Sequence, residues 1–100
     1  MPYIKKVRRE RFDDGITILQ EELKLKSSEN DIAGDLHYII ARLLEAVPIA
    51  CGQLTWRYRF INLVIGVLEC CKQEFYRRLA GPYEDSCVEY NGDIPLFNGS

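Results

Sequence analysis

The chain holds a single histidine, a single methionine and a single tryptophan among its 100 residues. It has no glycine-rich phosphate loop and no serine elbow. A zinc site needs about four ligands in close pairs, typically cysteines two to four residues apart. Here the one close cysteine pair, Cys70 and Cys71, is adjacent. Cysteine chemistry would need a base, and His37 is the only natural one. It sits beside an apolar helical stripe, where a partly buried structural histidine is expected. Glu69 and Glu74 are five residues apart, so on a helix they stand about 140° apart and form no carboxylate pair. The expectation is a protein that is not an enzyme, with no catalytic residue, no metal and no cofactor.

Long apolar runs are missing too. None approaches the roughly 18 residues that a bilayer-spanning helix requires. The first residues repeat Arg and Lys with no apolar stretch behind them, unlike a signal peptide. The chain is therefore read as cytoplasmic, with Cys51, Cys70, Cys71 and Cys87 reduced. Adjacent cysteines seldom bond to each other, and on a helix they point about 100° apart.

From Ala80 onward there is no basic residue, only Glu84, Asp85, Glu89 and Asp93. The first eleven residues are the reverse: Lys5, Lys6, Arg8, Arg9 and Arg11 face one acid, Glu10. Either these are two solvated ends, or they meet, within a chain or between subunits. The formal net charge of −2 exerts no general pull on nucleic acid or on anionic lipid.

What is present reads as one helical domain over residues 1–100. Hydrophobic content of 47% with 28% charged residues places the chain among ordinary globular sequences. A first, shorter helix is expected from Lys5 to about Lys26, interrupted near "FDDG", with Asp13 as N-cap before Ile16, Leu19 and Leu23. Lys26 to Asp31, "KSSEND", reads as a loop. In the second helix Leu36, Ile39, Ile40, Leu43, Leu44 and Val47 form one stripe, Asp31 or Asp35 is a suitable cap, and Pro48 ends it.

The third helix is expected from Thr55 to Leu79, with Gly81-Pro82 as a firm stop. Phe60, Val64, Val67, Leu68, Cys71, Phe75 and Leu79 fall on one side of it. Tyr58, Ile61, Ile65 and Tyr76 widen that surface beyond what one partner helix covers, and a second copy of the chain is the usual cover. The fold class is thus all-α: an antiparallel hairpin of two long helices, a shorter N-terminal helix and an irregular acidic tail over 81–100. Asn91-Gly92 in "CVEYNGDIPL" makes that tail either a short hairpin or an extended arm.

The polar side of the third helix carries the candidate site. Arg59, Asn62, Gly66, Glu69, Gln73 and Arg77 share one face by their spacing. Gly66 costs about 1 kcal/mol relative to Ala inside a helix. Two readings offset that cost: a close helix crossing with flanking salt bridges, or a polar groove. In the groove Arg59 and Arg77 would bind an anion, and Asn62 and Gln73 would give directional hydrogen bonds. Arg77 and Arg78 also divide two ways. They suit the negative end of their helix and the acids just beyond. With Tyr76 and Tyr83 they are also a composition that grips a nucleotide by stacking and phosphate contact.

"MPYI", "LHYII.RLL", "GVLECCKQEFYRR..GPYED" and the late "NGD" together resemble a family of small proteins of tailed phages and prophages. The resemblance covers nearly the whole chain, and the stretch from Gly66 to Asp85 carries most of it. It supplies no catalytic residues and implies expression in the cytoplasm of an infected bacterium. By analogy with small phage proteins that act stoichiometrically, two functions are expected. In one, a homo-oligomer sequesters a small anionic ligand between subunits, a cyclic or modified nucleotide that signals bacterial immunity. In the other, the chain docks onto a host or phage protein and modulates it, and the arginines are structural.

Overall fold

A computed structural model of the chain describes residues 4–97. Met1, Pro2 and Tyr3 of "MPYI", and Asn98, Gly99 and Ser100 of the expected tail, lie outside the described residues. The described residues are all-α and hold no strand. The chain divides after Phe60 into two units.

The first unit opens with α1, Lys6–Lys26, which runs through the expected interruption without a break. Asp13, Asp14 and Gly15 are poor helix formers, Gly15 by about 1 kcal/mol against Ala. No proline stands among them, and the Arg, Glu, Leu, Gln and Lys around them favour the helix. Asp13 is therefore a helix-interior residue and caps nothing. Lys24–Glu21 and Lys26–Glu22 ion pairs, at 3.0 Å and 2.5 Å, lie near the C-terminal end of α1, where cations also suit the helix dipole.

The loop falls where the polar run places it, and α2 follows over Ile32–Leu44. Neither Asp31 nor Asp35 caps α2 through its side chain. Both carboxylates are taken by the loop instead: Ser28 Oγ donates to Asp31 Oδ2 at 2.8 Å, and Ser27 Oγ to Asp35 Oδ2 at 2.6 Å. The second bond is half-buried and ties the end of α1 to the first turn of α2. The helix ends ahead of Pro48, which enters the short α3, Val47–Ala50, near its first position and is buried there. A proline fits that position because its missing N–H has no partner to lose.

A bend precedes α4, Tyr58–Phe75, which starts three residues after the expected Thr55 cap. Phe60, in the first unit, is 3% exposed, and Val64, in the second, is 8% exposed. Further along the same stripe Phe75 and Leu79 stand 67% and 57% exposed, and Cys71, expected in the core, is exposed. His37, expected to be partly buried, is exposed as well.

Gly81-Pro82 does not stop the helix. The backbone passes from α4 into a π-helical turn, Tyr76–Ala80, and on into α5, Gly81–Asn91. The Gly81 N–H donates to the Tyr76 carbonyl, five residues back. Pro82 has no N–H to give and its ring would crowd the carbonyl four residues earlier. A turn wound wider than the α-helix meets that constraint. Tyr, Asp, Ser, Cys, Val and Asn in α5 are mediocre helix formers, but the segment only has to extend a helix already nucleated, and nucleation is the costly step.

The irregular or hairpin tail is thus replaced by a helix as far as Asn91. Gly92, at φ 87°, ends it, with its N–H donating to the Val88 carbonyl at 2.7 Å. The positive φ that suits Asn-Gly to a tight hairpin also suits glycine to a helix end. A single 3-10 turn, Pro95–Phe97, follows.

Candidate functional site

The candidate side chains are handled differently by the two units. In the first, the Arg59 guanidinium carbon lies 4.6 Å from the centre of the Phe60 ring. That cation–π contact involves the one nearly buried aromatic ring of the described residues and leaves the guanidinium N–H groups unpaired with any carboxylate there.

In the second unit the polar face is largely occupied by its own acids. Gln73 Nε2 donates to Glu69 Oε1 at 3.1 Å, one turn earlier, and Lys72 stands 3.6 Å from the same oxygen. Arg78 Nε lies 3.8 Å from Glu74 Oε1, a loose, exposed pair of small energetic weight. Tyr76 Oη donates to Glu84 Oε2 at 2.6 Å. That hydrogen bond, and after it the charge of Glu84, raises the Tyr76 hydroxyl above its ordinary pKa. Of the two acids just beyond Arg77 and Arg78, Glu84 is held by Tyr76, and Asp85 makes no ion pair among the described residues. Arg77 has no ion pair and no side-chain hydrogen bond among the described residues. Tyr83 is 72% exposed.

Gly66 departs from the close-crossing reading of it. A Cβ built there meets no described atom within 4 Å, so no backbone of the described residues crosses closely at that point. Glycine at 66 costs helix stability with no contact among the described residues to offset it.

Two features were not anticipated. In α2 the Arg42 Nη1 donates to Tyr38 Oη at 2.9 Å, its guanidinium carbon lies 5.8 Å from the Tyr38 ring centre, and Nε stands 3.2 Å from Glu45. The Tyr38 hydrogen bond first, then the charge of Glu45, raise the Arg42 pKa further. The spacing of four between Tyr38 and Arg42 carried that signal. Beside it, Leu23, Asp35, Tyr38 and Ile39 line an open cleft of about 340 Å³ at the α1–α2 joint. Its polar groups are already engaged, Glu22 with Lys26, Ser27 with Asp35 and Tyr38 with Arg42.

Among the described residues no cluster of three or more His, Cys, Asp or Glu side chains is arranged to hold a metal. All four cysteines are free and exposed. No helix among the described residues is long and apolar enough to cross a membrane.

What the fold and site define is an all-α chain with a polar helical segment, interrupted by a π-turn, on which Arg77 makes no ion pair among the described residues. The chain belongs to the family described as Domain of unknown function (DUF6899), whose model matches residues 1–94. No curated protein and no solved structure matches the chain.

Proposed function

We propose that this is a non-enzymatic binding protein of phage type. It works in the bacterial cytoplasm as a homo-oligomer and sequesters a small anionic, nucleotide-like ligand between subunits. The observation that carries the ligand reading is Arg77. Among the described residues it makes no ion pair, with Glu84 held by Tyr76 and Asp85 in no salt bridge either. An unpaired guanidinium on a segment that also carries the exposed Tyr76 and Tyr83 suits bidentate phosphate contact and stacking on a base. Arg77 and Tyr83 take the lead in this reading. Gln73, Tyr76 and Arg78 are engaged with acids in the free chain and would have to exchange those partners for ligand; Asn62 belongs to the same unit, and Arg59, in the first unit, is the further candidate.

The oligomer rests on the apolar residues of α4 that stay exposed, Ile61, Leu63 and Ile65 among them. Such a surface is normally covered by a partner. Pairing of the second and long helices as an antiparallel hairpin belongs to the same reading. The alternative is docking onto a host or phage protein, for which the same exposed apolar side chains speak.

A thermal-shift series against cyclic and modified nucleotides tests the proposal. A ligand at about 100 times its dissociation constant adds roughly 2.7 kcal/mol of stability. Arg77→Ala should then weaken binding by about 1.5–3 kcal/mol, and Arg77→Lys should recover part of it, because charge returns without the bidentate fork. A panel in which no nucleotide raises the melting temperature sinks the ligand reading and leaves the docking one.

A further inference from the structure

We propose that the basic N-terminal half of α1 in one copy docks along the acidic α5 of a second copy, and that the reciprocal contact closes a two-fold dimer. The inference rests on the homo-oligomer reading above and names its interface.

The two segments match in charge. Residues 5–11 carry five cations and one acid, net +4; residues 81–97 carry four acids and no cation, net −4. Lys5, Lys6, Arg8 and Arg11 have no ion pair among the described residues, and neither have Asp85 and Glu89. Each helix also keeps charge where its own dipole disfavours it. The first turn of α1 holds cations and no acid. The last turn of α5 holds Glu89 and no cation. Charge of the wrong sign at a helix end weakens that helix, and a partner of opposite charge removes the penalty at both ends together.

Apolar side chains accompany the charges. Val7 and Phe12 on α1 are 65% and 51% exposed, and Tyr83 and Tyr90 on α5 are 72% and 91% exposed. A surface of aromatic rings with flanking charge is the composition of an interface. A second copy fits better than a polyanion, because every copy supplies the matching acids in equal number and the chain as a whole is negative. In a two-fold pair each arm meets the other subunit's α5, so one charge match is used twice.

Sedimentation of the full chain tests this, using Arg8→Glu with Arg11→Glu, and separately Asp85→Lys with Glu89→Lys. Arg8→Glu and Glu89→Lys each correct the charge in a terminal turn, and Arg11 and Asp85 lie outside those turns, so helicity by circular dichroism should hold. Each double variant alone should associate at least about tenfold more weakly than the native chain. An equimolar mixture of the two should restore association, since both contacts are then complementary. Raising salt from about 0.1 M to about 1 M, where the Debye length falls from about 10 Å to about 3 Å, should shrink these differences.

Native chains that oligomerise while both variants match them overturn this interface and leave the oligomer standing. A native chain that stays monomeric overturns both. A mixture that restores nothing shows that the contact is not between copies. If the arm reversal spares association but abolishes binding to a single-stranded oligonucleotide, the arm is a nucleic-acid surface and the proposal fails.

Discussion

The hydroxyl of Tyr76 donates to Glu84, eight residues further along the same run of helix, at 2.6 Å. In an unbroken α-helix, residues eight apart point about 80° away from each other. The π-turn over Tyr76–Ala80 adds about one residue to the winding, so Glu84 falls where a seventh residue would, roughly 20° from Tyr76. The hydrogen bond thus reports the register of α5 relative to α4.

Pro82 is the residue that demands the wider turn, so Pro82→Ala should let the helix rewind as α. Helical content by circular dichroism should hold or increase. The Tyr76 titration should return towards that of an ordinary tyrosine as Glu84 swings away. A Pro82→Ala chain whose Tyr76 still titrates high would show that another residue imposes the π-turn.

The raised Tyr76 pKa has a defined consequence for pH. Its folded value lies above its unfolded value, so the contribution of the Tyr76–Glu84 bond is fully present below the unfolded tyrosine range. It is lost as pH rises through the folded value. Phenolate absorbance should show one of the six tyrosines titrating late, and Tyr76→Phe or Glu84→Gln should remove that late component. Two variants that leave the titration curve unchanged would refute the assignment.

Gly66 lies in the interior of α4 with open space where a Cβ would go. Gly66→Ala should therefore stabilise the isolated chain by about 0.4–1 kcal/mol, through lower unfolded-state entropy and better helix propensity. Urea unfolding at a concentration below any association measures this. If a second copy or a ligand uses the gap, the same variant should lose association or binding while its own helix gains. Destabilisation of the isolated chain would show that something in it already occupies the space.

Cys70 and Cys71 are free and exposed, on a helix where neither serves a ligand cluster. Replacing both by Ser should leave folding, oligomer size and any nucleotide response close to native. A folded double variant that had lost binding would return the pair to the site.

Much of the local structure was legible because it depends on neighbours in the chain. The apolar stripe from Leu36 to Leu44 marks α2, while Val47, expected on the same helix, opens α3; the run Ser27–Asp31 marks the loop, and Pro48 explains the end of α2 and the start of α3. Phe60 and Val64 are buried as their positions on the stripe require. Gln73 lies in α4 and Arg77 in the π-turn that follows it, and the sequence did not indicate which partners they would meet. Which carboxylate each side chain meets depends on rotamer and on the winding between them.

The errors share a cause. "FDDG" and Gly81-Pro82 were read as breaks because their residues disfavour helix one by one. A helix is cooperative, and flanking turns carry poor residues once nucleation is done. Sequence alone determined the helical class, the basic start, the acidic end and the surplus of apolar side chains, since periodicity and charge are properties of the chain's order. Three-dimensional structure decided that the tail is α5, that the π-turn sets its register, that Tyr76 spends Glu84 and that Arg77 is left without a carboxylate. Those outcomes turn on a rotation of about one residue in the winding at Tyr76–Ala80, and composition carries no record of such a rotation.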